Sequence, residues 1–205
     1  MEDIQADLLL KRIKSLNTRI YLTRKSRINT EDRLIKKNNF YQFINVYYSI
    51  VLVFSSILNL QASPKTSLFL LSSSIALSLF SLFVISKNLT ERQFSVKFNY
   101  IRLQELLNEL DRIEDDLIAG IRKMSDIVNS YEEVNAKYIS ALSSVENQEE
   151  VDYLNFIKST GFQNIKLDSS QKIVLCKHAF KETMKRATLI IAPIIAYLLL
   201  WFFIS

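Results

Sequence analysis

The chain has 205 residues, a formal net charge of +5, one histidine, one cysteine, two glycines and two prolines. A phosphate-cradling loop needs several glycines for the backbone to approach the anion closely, and Gly120 and Gly161 cannot build one. The lone Cys176 can form neither an internal disulfide nor a thiolate cluster, which suits a reducing compartment.

Residues 1–40 are polar and basic, unlike a cleavable signal peptide. A helical pattern runs through Ile4, Leu8, Ile13, Leu16, Ile20 and Leu34, with a basic face that includes Lys11, Arg12, Arg19, Arg24, Lys25, Arg27, Lys36 and Lys37. The simplest partner for the apolar face is the heptad helix described below. The basic face can also attract anionic headgroups, and the two uses are compatible.

Residues 41–86 read as a transmembrane hairpin. Tyr41–Leu60 and Thr66–Ser86 contain no charge, and each is about as long as a helix crossing a hydrocarbon core of ~30 Å. Between them Gln61–Lys65 forms a short loop with Pro64 at the turn. Asn45, Ser49, Ser56 and Asn59 share one face of the first span; Ser67, Ser74, Ser78 and Ser81 share one face of the second. Such residues either let helices approach and hydrogen-bond or line a wetted path in an assembly, and both readings stay open. No Asp, Glu, Lys or Arg lies inside a span, which argues against a voltage sensor, a proton relay or an ion-coupled transporter.

Residues 87–146 carry a heptad pattern. Leu103, Leu110, Leu117, Met124, Tyr131, Tyr138 and Val145 repeat every seventh position, and Leu106, Ile113, Gly120, Ile127, Val134 and Ala141 repeat three positions further on. Leu107, Ile121, Val128 and Leu142 widen the stripe, which suits packing against more than one helix. Leu103, Leu106, Leu110, Ile113, Leu117, Met124, Ile127, Tyr131, Val134 and Tyr138 are therefore the candidates for self-association. The heptad phase is unchanged across Gly120, which favours one continuous rod of roughly 85–90 Å over a turn.

Residues 147–187 hold a short helix near Asp152–Thr160, with Gly161 placed to end it. Asp168 and Gln171 are then spaced as a capping box. The helix they start carries a basic patch of Lys177, Lys181, Lys185 and Arg186 into residues 188–205. Thr188–Ile204 is uncharged and at the short end for a span, with Tyr197 and Trp201 suited to an interface; the alternative is a helix lying in the interface. Basic residues number ten in 1–40, one in the hairpin loop and fifteen in 87–187. The rule that basic flanks stay inside puts the N-terminus and the central region in the cytoplasm.

No enzyme emerges. His178 and Cys176 read as helix residues of the juxtamembrane segment, and the acidic side chains lie on a solvated helix face. No cofactor, metal or direct nucleic-acid binding is expected. Asn88-Leu89-Thr90 matches a glycosylation acceptor but abuts a span on the cytoplasmic side, where it has no meaning.

A basic helix, a tight two-span hairpin and a long helical region resemble the SLATT proteins, membrane effectors of bacterial conflict systems. Two stretches carry the likeness: Asn99–Leu107 after the second span, and Lys137–Leu142 followed by the signature Glu146, Asn147, Asp152 and Tyr153. Gln148 stands where the family's histidine is expected. The resemblance implies an all-α effector of the bacterial inner membrane that oligomerises, permeabilises the membrane and arrests growth. It also implies a genomic neighbour as partner, a nucleotidyltransferase or a reverse transcriptase. The alternative, from another class, is a non-conducting membrane scaffold that recruits a cytosolic partner.

Overall fold

The computed structural model describes residues 2–58, 64–144, 149–160 and 168–204, with side chains at 4–58, 64–144, 149–158, 168–196 and 198. Six helices follow in order: α1 Glu2–Leu58, α2 Pro64–Ser86, α3 Leu89–Ala119, α4 Met124–Ser143, α5 Glu150–Thr160 and α6 Ser169–Ile204. Among the described residues there is no strand. The chain divides into a bundle unit, Met1–Arg33 with Arg92–Leu167, and a membrane unit, Leu34–Glu91 with Asp168–Ser205.

In the bundle unit the first part of α1 packs with α3 and α4. Leu9, Ile13, Leu16 and Ile20 of α1 meet Leu103, Leu106, Leu107, Leu110 and Ile113 of α3 and Ile127, Tyr131, Val134, Tyr138 and Ala141 of α4 in one core. The expected pairing of the N-terminal helix with the heptad stripe is present through Ile13, Leu16 and Ile20, and differs in the first turns. Ile4 and Leu8 are exposed, and Leu9 takes the core position instead.

Polar contacts give the directions. Lys14 pairs with Glu114 at 3.7 Å and Asn17 donates to Asp111 at 2.8 Å, so α1 and α3 run antiparallel. Asn99 reaches the Ala141 carbonyl and Lys137 reaches Glu109, so α3 and α4 are also antiparallel.

The expected continuous rod is therefore two helices folded against each other. Gly120 has φ +65°, the left-handed conformation that glycine adopts without a Cβ penalty. The Ile121 N–H returns to the Asp116 carbonyl at 3.3 Å, the six-to-one bond of a Schellman ending. Lys123, in extended conformation, then starts α4 without a side-chain cap. Arg122 secures the turn by contacting Asp116 at 3.3 Å and donating to Ser130 Oγ at 2.9 Å. The turn keeps the heptad phase, so both halves present their stripes to the same core.

The short helix α5 is closed onto this unit by Val151, Leu154, Phe156 and Ile157, all buried, with the Phe156 ring edge-on to Tyr21 at 6.3 Å. Val145, Gln148 and Gly161 lie outside the described residues.

In the membrane unit, the second part of α1 packs with α2 and α6. α2 ends at Ser86, and Asn88, with φ 46°, turns the chain into α3. α6 begins with the expected capping box: the Asp168 N–H donates to Gln171 Oε1 at 3.1 Å, and the Ser170 hydroxyl and neighbouring backbone N–H groups hold the Asp168 carboxyl below the usual range. Among the described residues two helices, within Ile4–Leu58 and from Pro64 onward, are long and apolar enough to cross a membrane.

Candidate functional site

Serine-rich spans must satisfy their hydroxyls without water, and the membrane unit does so in two ways. Asn45 and Ser81, both candidates from the sequence, meet between α1 and α2, where the Ser81 hydroxyl donates to Asn45 Oδ1 at 2.7 Å. This pair packs the hairpin. Ser49 donates to the Asn45 carbonyl, Ser56 to Leu52, Ser74 to Leu71 and Ser78 to Ser74, all at 2.8–3.0 Å. These four side chains, with Ser67, lie exposed on the outside of the unit. Asn59 lies outside the described residues.

A further polar contact joins α6 to the hairpin. Pro193 lies inside α6 and has no N–H to give the carbonyl four residues earlier, that of Leu189. The Tyr48 hydroxyl supplies the missing donor at 2.6 Å. The sequence carries half of this signal: a proline in a span announces an unpaired carbonyl, but nothing names the side chain that reaches it. Aromatic contacts of Phe80 with Tyr41 and Tyr48 complete the α1–α2 seam.

The ten heptad candidates for self-association lie in the chain's own core. Leu103, Leu106, Leu110, Ile113, Ile127, Tyr131, Val134 and Tyr138 are buried there, and Leu117 and Met124 pack against it partly buried. These ten are covered by α1 and by each other, while Ile121, Val128 and Leu142, which widen the stripe, are exposed.

Of the family-signature residues, Asp152 is the centre of a buried cluster and Tyr153 is half-buried beside it, while Glu146 and Asn147 lie outside the described residues. Asp152, 1% exposed, accepts from Arg33 Nε at 2.9 Å and Nη2 at 3.0 Å, from the Thr30 hydroxyl at 2.9 Å and from the Glu149 N–H at 3.3 Å. Asn29 donates to the Asp152 carbonyl at 2.9 Å, and Arg33 also reaches Glu149 at 2.6 Å. A bidentate guanidinium with further donors satisfies a buried carboxylate. The cluster fastens α5 to α1. Asn29, Thr30, Arg33 and Glu149 were not singled out in the sequence, because on a basic helix Arg33 is one cation among many.

The Asn99–Leu107 stretch is structural in the same way. Asn99 Nδ2 donates to the Ala141 carbonyl at 2.7 Å and to Ser144 Oγ at 3.0 Å, capping the C-terminal end of α4. Tyr100 hydrogen-bonds Glu31; burial first, and this bond next, push its hydroxyl pKa up. Between these groups Arg27 is buried, with one long contact of 3.5 Å to the Leu142 carbonyl and its pKa lowered by desolvation. Among the described residues no three His, Cys, Asp or Glu side chains gather as metal ligands.

Two spans, a helix docked on them through Tyr48 and a separate helical bundle define an all-α membrane protein. The model of the SMODS and SLOG-associating 2TM effector domain family 5 matches residues 9–202. The chain belongs to this SLATT family and is a membrane effector of conflict systems. No curated protein and no solved structure matches it.

Proposed function

We propose that the chain is an inner-membrane effector of a bacterial anti-phage system that self-associates through its membrane unit and permeabilises the membrane. The observation that carries this is the exposed serine face of the hairpin. Ser74 and Ser78 on α2 and Ser49 and Ser56 on α1 point out of the unit, with hydroxyls bonded to their own helices. A monomer gains nothing from serines facing lipid, whereas clustered hairpins can pack through them or use them to line a wetted path. The a/d residues of the heptad stripe are filled within the chain, so the serine face of the spans is the proposed assembly surface. The bundle unit lies in the cytoplasm on the positive-inside rule, where a neighbouring nucleotidyltransferase or reverse transcriptase, or the SMODS and SLOG proteins of the family's name, would signal to it.

Membrane potential in bacteria expressing the chain with its genomic neighbour, followed with a voltage-sensitive dye, tests the reading. Depolarisation on activation is expected, and Ser74→Leu/Ser78→Leu at equal membrane levels should abolish it. An unchanged potential under every activating condition sinks the pore and leaves the scaffold. One observation favours that second reading: Phe94, Phe98 and Ile101 form an exposed apolar stripe on α3, suited to a protein partner.

A further inference from the structure

A groove of about 700 Å³ opens in the membrane unit between α1 and α6. Lys37 on α1 and Lys181, Lys185 and Arg186 on α6 line it, with Glu182 as the one acid, already bonded to Lys185 at 3.1 Å. Arg186 is held over the Phe40 ring at 5.3 Å. Lys37 and Lys181 are in no salt bridge with a described carboxylate, though Lys37 is near enough to Glu182 to act on its charge. The groove thus carries an excess of positive charge at the place where both helices pass from polar to apolar sequence, just before Tyr41 and just before Thr188.

A second cavity, of about 310 Å³, lies further along the same helices. Its wall is mostly apolar, with Leu52 on α1, Phe69 and Leu77 on α2, and Leu189 and Ala192 on α6, though Tyr48, Ser55, Thr66 and Ser73 also line it. Leu189 lines both spaces, so the basic groove and the apolar cavity adjoin. Both volumes are those of ligand sites. A basic, aromatic rim above an apolar slot has the polarity profile of one phospholipid.

We infer that the membrane unit binds one anionic phospholipid. Its phosphate lies among Lys37, Lys181, Lys185 and Arg186, and one acyl chain enters the cavity beyond Leu189. The lipid bridges α1 and α6 and so ties the C-terminal helix to the hairpin, beside the Tyr48 bond.

The test uses the full chain in an uncharged detergent, titrated separately with dioleoyl phosphatidylglycerol, dioleoyl phosphatidylcholine and soluble glycerol 3-phosphate. Native mass spectrometry should show one phosphatidylglycerol retained per chain, and the unfolding temperature should rise by several degrees with that lipid alone. Lys37→Gln/Lys181→Gln should reduce its retention at least ten-fold. Lys177→Gln, on the same helix but outside the groove, should leave it unchanged. Equal stabilisation by phosphatidylcholine overturns the anionic headgroup site. A full effect of glycerol 3-phosphate alone overturns the acyl slot and identifies a soluble phosphate instead. No retention of any of the three overturns the proposal entirely. Unfolding of the variants without lipid checks that they fold, and the wild-type titrations decide the question even if they do not.

Discussion

Asp152 is buried with its charge, and its worth lies in the donors around it. Removing one member of a buried ion pair commonly costs about 3–5 kcal/mol, because the other charge stays behind unpaired. Arg33 retains Glu149 and some solvent, so Asp152→Asn should cost about 3 kcal/mol, measured by thermal unfolding followed through helical circular dichroism. A loss below about 1 kcal/mol would show that the cluster does not fasten α5. Tyr48 makes a similar argument in lipid. Its hydroxyl answers the carbonyl that Pro193 leaves bare, and hydrogen bonds between membrane helices are worth roughly 0.6–2 kcal/mol. Tyr48→Phe should lower stability by about 1 kcal/mol. Pro193→Ala in that background should restore much of it, since the backbone then supplies its own donor; failure of that rescue would break the link.

Elements are delimited by a few backbone decisions. Gly120 ends α3 with φ +65°, and a Cβ built there meets nothing within 4 Å. The penalty of Gly120→Ala is then conformational alone, about 1 kcal/mol. Chemical or thermal unfolding should show this modest drop with the native helix content kept. A gain in helicity, with the chain straightening through the turn, would mean that the glycine chooses the hairpin rather than merely permitting it. α1 shows a different economy. It buries Ile13, Leu16 and Ile20, and then Ser26, Arg27 and Thr30, on successive turns. Its stripe therefore changes from apolar to polar before it reaches Leu34, and the polar part receives the ends of α4 and α5.

At the scale of the whole molecule, the heptad stripe separates two kinds of assembly. A coiled coil between chains would dissociate on dilution, whereas a core within one chain unfolds at a temperature independent of concentration. Leu110 is fully buried between α1, α3 and α4, and Leu110→Ala should cost about 2–5 kcal/mol. The lowered unfolding temperature should be the same across a hundred-fold range of protein concentration. A concentration-dependent shift would return the stripe to the space between chains. The proposed association through the hairpin is tested by Ser74→Leu/Ser78→Leu, which leaves the buried core of the bundle untouched.

Periodicity and charge in the sequence alone determined the helical class, the two uncharged spans, the capping box at Asp168 and most of the bundle core, though not Leu9 in place of Ile4 and Leu8. These are local quantities: hydrophobic length, a repeat of seven and a carboxylate three residues from an amide are all written along the chain. The same repeat could not say what covers the stripe, because a four-residue turn at Gly120 preserves its phase as faithfully as an unbroken helix does. Tertiary structure decided that the stripe closes within the chain. It also brought Arg33 to Asp152, Tyr48 to Leu189, and Lys37 to the basic end of α6. Each of these approaches joins residues more than a hundred positions apart, and depends on geometry that exists only once the helices have packed.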